Sequence, residues 1–294
     1  MHDDPADLGN AVDLAEPQQL QQALAAHGYL ADERLATSAW LALSMERPLF
    51  CEGVPGVGKT ALAAGMAGAL GGPLLRLQCY EGIEVGQALY EWDFPRQLLH
   101  AREGLPGGVW DERYLLERPV LAALRASTNG ARAVLLVDEV DRADDEFDAL
   151  LLEVLSDWAI TIPELGRVAA EVPPFVVVTS NRTRDVHDAL KRRCLYHWID
   201  LPRRDQELAI VRHHVPEARD GMLAQVLDAV TRLRALDLVK PPGLAETIDW
   251  VRALVLLGAD GLDDGLVERS LPAVVKHADD LAPARAALVG AGGD

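Results

Sequence analysis

A glycine-rich octapeptide, GVPGVGKT at residues 53–60, limits the folds open to this chain more than any other feature. An apolar run, RPLFCEG, leads into it, and the helical sequence ALAAGMAGAL follows. This is the G-x-x-x-x-G-K-[ST] pattern in the strand–loop–helix setting that gives it meaning. Its glycines let backbone N–H groups converge on phosphate oxygens at a helix N-terminus, because no Cβ atom obstructs them. The sequence therefore predicts a phosphate-binding loop in an α/β fold.

Short apolar runs alternate with longer helical stretches as far as residue 203, which predicts buried parallel strands joined by crossover helices. The runs are RPLFCEG (47–53), LLRLQC (74–79), AVLLVDE (133–139), PFVVVTS (174–180) and LYHWIDL (195–201). Beyond them the pattern is helical, at 205–214, 221–236, 243–258 and 262–280. We expect a flexible acidic tail (1–16), an α/β nucleotide-binding domain (17–203) and an all-helical lid domain (204–290).

Composition limits the functional class. The formal net charge is −18 and the isoelectric point is about 4.8, which is the wrong sign for a protein that coats DNA, RNA or an anionic membrane. Three cysteines make no disulfide framework in a chain of 294 residues. Residues 1–16 lack the apolar core of a signal peptide, and no apolar run approaches the roughly 20 residues that cross a bilayer. We expect a cytoplasmic protein that binds no nucleic acid and has no membrane span.

The octapeptide assigns the nucleotide contacts. Lys59 would reach the β- and γ-phosphates, and the Thr60 hydroxyl would ligate Mg²⁺. The predicted binding residues are Gly53, Val54, Pro55, Gly56, Val57, Gly58, Lys59, Thr60 and Ala61. No N-K-x-D element for reading guanine occurs, so the expected nucleotide is ATP.

Two further strands end in polar residues that suit hydrolysis. Asp138 follows an apolar run and would bind Mg²⁺ through water, while Glu139 is placed to polarise an attacking water. Asn181 ends the next run, and its amide could hydrogen-bond the γ-phosphate and the lytic water. Acids after a strand also cap helices, and an Asn there also occurs in turns, so the glycine-rich loop is what favours hydrolysis.

The order of these motifs resembles that of the AAA+ ATPases. Over nearly the whole chain the amino-acid sequence is similar to their MoxR-like branch. The stretches that carry this resemblance are LQCYEG (77–82), ALYEWDFPRQLLHAR (88–102), WAITIPELG (158–166), ALKRRCLYHWIDLP (189–202) and KPPGLAETIDWVRAL (240–254). They are similar to those of a subgroup associated with carbon monoxide dehydrogenase (molybdenum hydroxylase) maturation.

The resemblance implies a P-loop AAA+ domain with a five-stranded parallel sheet of order 5-1-4-3-2, a helical lid, and nucleotide bound between the two. It also implies a homo-oligomeric ring, usually a hexamer, and a von Willebrand A-type partner. The implied activity is chaperone-like remodelling of a protein client in maturation or metal-centre assembly. These properties are expectations from the family and do not follow from composition or spacing.

A basic segment stands out against the acidic chain. Residues 182–204 hold seven Lys or Arg and three Asp, a local charge of +4. Arg192 and Arg193 match the family's arginine-finger position, with Arg193 favoured, so each subunit of a ring would offer a guanidinium to its neighbour's nucleotide. A solvated basic face is the alternative, and it applies most strongly to Lys191.

Other features stay open in the sequence. Ala245 and Glu246 stand where many AAA+ lids carry a second arginine, so we assign no lid arginine. Residues 80–114 form an irregular, aromatic-rich insertion that either contacts a partner or packs on the domain. Arg142 either reaches a neighbouring subunit or pairs with Asp145.

Two other functional classes remain compatible with the sequence. One is a P-loop kinase or transferase acting on a small molecule, although such enzymes usually lack a long helical C-terminal domain. The other is a nucleotide-gated scaffold or a DNA-acting module, and the acidic charge disfavours DNA.

Overall fold

The computed structural model of the chain describes residues 14–104 and 106–289. Of the predicted acidic tail, 1–16, only residues 14–16 are among those described. The chain forms two compact units. The first contains the residues up to Gly53 and Lys59–Trp198, and the second contains Val54–Gly58 and the residues from Ile199 onward. The sequence-based limits of 17–203 and 204–290 stay predictions about the domains.

The first unit is built on a parallel sheet. Its five strands are β1 (Leu49–Glu52), β2 (Gly71–Gln78), β5 (Arg132–Asp138), β8 (Phe175–Ser180) and β9 (Leu195–Trp198). They lie in the order β2-β5-β8-β1-β9, and every neighbouring pair is parallel. Counted along the chain as strands one to five, this order is 5-1-4-3-2 from the β9 edge. The predicted P-loop α/β fold is therefore confirmed.

The central strands are apolar because both sheet faces are covered. β5 and β8 are buried along almost their whole length, as expected for parallel strands between helices. The helices of this unit are α1 (Pro17–Ala26), α2 (Glu33–Ser44), α3 (Lys59–Leu70), α4 (Val85–Ala88), α5 (Phe94–Glu103), α6 (Pro119–Ala126), α7 (Asp145–Asp157) and α8 (Asp188–Arg193).

The predicted irregular insertion, 80–114, is more ordered than the sequence indicated. It contains α4, α5 and β3 (Tyr90–Trp92), and β3 pairs antiparallel with β4 (Leu115–Glu117). A second antiparallel pair, β6 (Ala159–Ile162) and β7 (Gly166–Ala169), forms a hairpin around the segment TIPELG. Short apolar strands with polar turns give a weak sequence signal, which explains why the first pair was missed.

The second unit is helical and has its own core. Its helices are α9 (Arg204–His214), α10 (Asp220–Arg234), α11 (Leu244–Leu256), α12 (Asp264–Val274) and α13 (Ala278–Leu288). Trp250 is fully buried there, and its Nε1 donates to Ser270 Oγ at 2.8 Å. The Arg234 guanidinium binds both carboxylate oxygens of Glu207 at 2.8 Å, which ties α10 to α9.

The single helix predicted at 262–280 is wrong, since α12 and α13 occupy that stretch. The backbone is extended at Val275 and at His277, whose ring accepts a hydrogen bond from the Asp279 N–H and so starts a new helix. The Asp280 carboxylate accepts from the Val239 and Lys240 N–H groups at 2.8 and 2.9 Å. This anchor fixes the start of α13 against an earlier loop, a contact that helical periodicity does not reveal.

No helix within the described residues combines the length and the apolar character that a membrane crossing requires.

Gly72 lies in β2 where an added side chain would clash with the neighbouring strand. The register between β2 and β5 shifts between Gly71 and Leu74, and a Cβ atom on Gly72 would lie 2.0 Å from the Arg132 carbonyl oxygen. Gly72→Ala should lower the free energy of unfolding by about 1–3 kcal/mol, because backbone on both strands must move. Urea denaturation measures this change. Gly221→Ala is the control, since nothing lies within 4 Å of its added methyl group, and equal losses in both variants would contradict the argument.

Candidate functional site

Residues predicted from separate motifs meet at the carboxyl edge of the parallel sheet. Lys59 and Thr60 begin α3 directly after the loop that leaves β1. Asp138 ends β5, and Asn181 follows β8, the next strand in the sheet. Parallel strands end at one edge, so residues far apart in sequence come together there, where α/β sheets bind ligands.

The glycine-rich loop has the backbone that its glycines allow. Gly56 and Gly58 have φ values of 79° and 95°, a region that side chains with a Cβ atom rarely adopt. Lys59 is buried, and its Nζ donates to the Gly53 carbonyl oxygen at 2.6 Å. Burial lowers the pKa of Lys59, while the negative charge of Asp141 acts in the opposite direction. The loop and lysine therefore fit a phosphate group.

The Asp138 carboxylate is hydrogen-bonded from a helix and two neighbouring strands. Its Oδ1 accepts from Thr179 Oγ1 at 2.6 Å and from Thr60 Oγ1 at 3.2 Å. Its Oδ2 accepts from Arg76 Nη2 at 2.7 Å and lies 3.3 Å from the same Thr60 hydroxyl. The sequence pointed to Asp138 and Thr60 but to neither Thr179 nor Arg76.

The donor set at this edge fits Mg²⁺. Thr60 and Asp138 supply hydroxyl and carboxylate oxygens, the ligands that Mg²⁺ prefers, and their atoms are already within 3.3 Å of each other. Among the described residues no group of three or more His, Cys, Asp or Glu could hold a metal ion. A magnesium ion bound together with substrate phosphates needs only one or two such side chains.

Glu139 is restrained by its backbone and by three side chains. It has left-handed dihedral angles, φ 55° and ψ 51°, and its N–H donates to Thr179 Oγ1 at 2.9 Å. Its Oε1 accepts from Asn181 Nδ2 at 3.2 Å, and its Oε2 accepts from Gln78 Nε2 and Arg142 Nη1, each at 3.0 Å. Within the chain Arg142 therefore pairs with Glu139 rather than with Asp145.

Asp141 fixes the backbone around Asn181. It is buried, and its carboxylate accepts from the Asn181 N–H at 3.2 Å, the Thr183 N–H at 2.8 Å and the Thr183 hydroxyl at 2.7 Å. Burial raises the pKa of Asp141, but the hydrogen bonds from Thr183 and Asn181 outweigh it and the net direction is downward. An ionised Asp141 therefore positions the start of the loop that carries Asn181.

Most cations of the basic segment have partners in the described structure. Arg182 lies over the Trp198 ring, and the others form ion pairs: Arg184 with Asp145 and Asp148, Lys191 with Glu52, Arg203 with Asp205, and Arg204 with Asp228. Neither guanidinium of Arg192 and Arg193 makes an ion pair with a described residue, and both residues are exposed. Five of the seven cations in the segment therefore have a described partner, whereas the guanidinium groups of Arg192 and Arg193 form no ion pair with a described residue.

Arg192 and Arg193 lie in the last turn of α8, beside an open cavity of about 530 Å³. Arg47 also lines the cavity, and its guanidinium donates to the carbonyl oxygens of Arg192 and Arg193, the latter at 2.9 Å. These bonds satisfy carbonyl groups that a helix C-terminus leaves unpaired. Arg47 thus fixes the backbone of the two arginines without engaging their side chains.

The aromatic insertion is partly packed on its own residues and partly exposed to solvent. Tyr114 is buried, and Trp92 packs edge-on against Trp110 with ring centroids 5.2 Å apart. Phe94 and Leu98, one helical turn apart on α5, are 63% and 55% exposed. Part of the insertion packs on its own residues while α5 presents an apolar face to solvent.

Cys194 and His197 lie in different local environments near the junction of α8 and β9. Cys194 does not lie on the strand but ends α8, with its Sγ buried and directed to the Leu190 carbonyl oxygen. The His197 Nδ1 lies 2.9 Å from Ser38 Oγ.

The residues that sequence reasoning missed are Arg76, Gln78, Asp141 and Thr179. Arg76 and Gln78 lie two residues apart on one face of β2, and Thr179 lies on β8. All three reach the acids at the end of β5 only because these strands pair with β5. The only signal for them in the sequence was a polar side chain near the end of an apolar run.

Comparison with known proteins gives one matching family and solved structures of low sequence identity. The family described as "AAA domain (dynein-related subfamily)" matches residues 48–194, half of the 294-residue chain. A comparison with curated proteins gave no match. A solved RuvB variant from Thermotoga maritima shares 16% identity at a TM-score of 0.48, over 87% of this chain and 70% of that one. A candidate ATPase from Cytophaga hutchinsonii shares 12% sequence identity at a TM-score of 0.46, and the match covers 92% of this chain and 85% of that one.

Thr179 offers a test of how the two acids are held. Its hydroxyl donates to Asp138 and accepts from the Glu139 N–H, and Thr179→Val removes both bonds at nearly constant volume. We expect the free energy of unfolding to fall by about 1–3 kcal/mol, since two buried polar groups lose a partner. We expect ATP turnover to fall with it. Denaturation and phosphate-release assays measure the two effects.

Thr179→Ser is the matched control because it keeps the hydroxyl, and it should retain most of the turnover. Equal turnover in the Val and Ser variants would show that the hydroxyl does not hold the acids in their working positions.

Proposed function

This chain belongs to the AAA domain family (dynein-related subfamily), and we propose that within it the chain is a MoxR-like remodeller of a protein client. Members of the family are ATPases that use ATP with Mg²⁺ and typically assemble as oligomers. The observation that carries the assignment of the site is the meeting of Lys59, Thr60, Asp138, Glu139 and Asn181 at one edge of the sheet.

In the proposed mechanism Lys59 and the glycine-rich loop bind the phosphates, while Thr60 and Asp138 hold the metal ion. When bound, Mg²⁺ neutralises charge on the β- and γ-phosphates. Glu139 accepts a proton from the attacking water at one carboxylate oxygen. Asn181, Gln78 and Arg142 occupy three of the roughly four acceptor sites of the Glu139 carboxylate, so Oε1, which accepts from Asn181, keeps a site for the water.

The proposed ring places Arg193, or Arg192, against the nucleotide of the neighbouring subunit. Both guanidinium groups lack an ion pair within the described residues, and Arg47 fixes their backbone. A guanidinium delivered in trans stabilises the charge on the transferring phosphoryl group and is worth about 10³–10⁵ in rate. Hexameric assembly and cytoplasmic location are proposed from the resemblance to the MoxR-like branch.

The proposed client work uses the insertion. Phe94 and Leu98 expose apolar area on α5, which suits contact with a protein rather than with water. Hydrolysis would rotate the helical lid and move the insertion, and the movement of the insertion would bring this surface against a client. A von Willebrand A-type partner and a role in metal-centre assembly rest on the five stretches that resemble the carbon monoxide dehydrogenase maturation subgroup.

Glu139→Gln tests the activating base. Turnover should fall by about 10²–10⁴-fold because the amide cannot accept the proton, while ATP affinity stays within a few-fold of wild type. Phosphate release and equilibrium nucleotide binding measure the two quantities. Lys59→Ala is the contrasting control and should lose ATP binding itself. Normal turnover in Glu139→Gln would remove the residue from the mechanism.

The arginine finger is tested by Arg193→Ala and Arg192→Ala. The true finger variant should bind ATP normally and hydrolyse it about 10³-fold or more slowly. Mixing it with Glu139→Gln should restore activity, because mixed rings pair an intact finger with an intact Glu139 site.

Arg203→Ala is the matched control for the finger, since Arg203 lies in the same basic segment and pairs with Asp205. Its turnover should be unchanged. Wild-type rates in both finger variants would refute the assignment, and a specific rate independent of protein concentration for a sized monomer would refute action in trans.

A further inference from the structure

Arg76 forms an ion pair with Asp138, the residue predicted to bind the metal. Its Nη2 donates to Asp138 Oδ2 at 2.7 Å and to Gln78 Oε1 at 2.6 Å. The Asp138 side chain is only 5% exposed, whereas the Arg76 side chain is 55% exposed. One end of this ion pair is therefore fixed in the site, and the other end can leave into water.

The sheet explains why this arginine reaches the acid. β2 is an edge strand that pairs with β5 in parallel register, with Gln78 opposite Asp138 and Arg76 opposite Leu136. Side chains two apart on a strand share one face, so Arg76 and Gln78 project to the same side. The long arginine side chain spans the two-residue offset, and its bond to Gln78 fixes the guanidinium beside Asp138.

The position and charge of Arg76 oppose a metal at Asp138. Its Nη2 lies 2.7 Å from Oδ2, one of the two oxygens through which this carboxylate can bind a metal or a metal-bound water. The other oxygen, Oδ1, accepts from Thr179 Oγ1 at 2.6 Å. A metal ion near Oδ2 therefore meets the positive charge of the guanidinium at short range and is repelled by it.

We propose that Arg76 competes with Mg²⁺ for Asp138 and sets how strongly nucleotide binding depends on the metal. The inference rests on the assignment of Asp138 to the metal in the proposed function. In the metal-free state Arg76 neutralises the buried carboxylate. When nucleotide binds with Mg²⁺, Arg76 moves to solvent, and the loss of its ion pair weakens metal-dependent binding.

The test is the affinity for a fluorescent ADP, measured at equilibrium in EDTA and at saturating MgCl₂. For Arg76→Gln we expect unchanged affinity in EDTA and an affinity in MgCl₂ about threefold to tenfold higher than wild type, the range for losing one partly exposed ion pair. Arg76→Lys keeps the charge without the planar fork and should fall between the two. An unchanged ratio of the two affinities in Arg76→Gln overturns the proposal.

Arg285→Gln is the matched control. Arg285 is 56% exposed and pairs with Glu268 at 2.8 Å in the helical unit, so its loss should leave both affinities unchanged. If Arg76→Gln instead weakens binding equally in EDTA and in MgCl₂, Arg76 contacts the phosphates directly and the competition is refuted. Urea midpoints show whether each variant is folded.

Asp138→Asn separates failure of this inference from failure of the proposed function. It should abolish most of the gain in affinity that MgCl₂ gives to wild type. If that gain persists in Asp138→Asn, the metal assignment itself is wrong and the inference falls with it. If Asp138→Asn loses the gain while Arg76→Gln keeps the wild-type ratio, the site stands and only the competition is wrong.

Discussion

The carboxylate of Asp138 is the point on which the rest of the site depends. It ends β5, takes the Thr179 hydroxyl from β8 and the Thr60 hydroxyl from α3, and carries the Arg76 guanidinium from β2. A buried charge is costly unless hydrogen bonds and an opposite charge surround it, and here three elements of the unit supply them. Any shift in the order of these strands would leave the carboxylate unsatisfied.

The same hydroxyl extends this control to Glu139. Thr179 accepts the Glu139 N–H while it donates to Asp138, so one side chain sets the direction of two acids. Left-handed backbone at a residue with a Cβ costs of order 1 kcal/mol and persists only where the surroundings enforce it. In that conformation the Glu139 carboxylate accepts hydrogen bonds from Asn181 and Gln78.

What could be predicted from the sequence is what short segments encode. The loop at 53–60, the acids after β5 and the Asn after β8 each follow an apolar run, and the order of the five strands came with the family resemblance. The partners of those acids could not be predicted, because Arg76 and Gln78 reach them across the β2–β5 register. The break between α12 and α13 could not be predicted for a similar reason, since the Asp280 carboxylate binds backbone N–H groups about 40 residues earlier in the chain.

Within a chain of net charge −18, the cations of the basic segment differ in whether they form ion pairs. Lys191 is drawn to the buried Glu52, the last residue of β1, and Arg184 to the buried Asp148, so these cations stabilise the unit that carries them. Arg192 and Arg193 lie at the end of the same helix, and neither forms an ion pair with an acid in the part of the chain that the structure describes. Because Arg47 fixes the backbone of these two arginines, only their side chains have to be ordered when an anion binds. That difference between neighbouring cations, rather than the local charge of the segment, is what favours an intersubunit role for this pair.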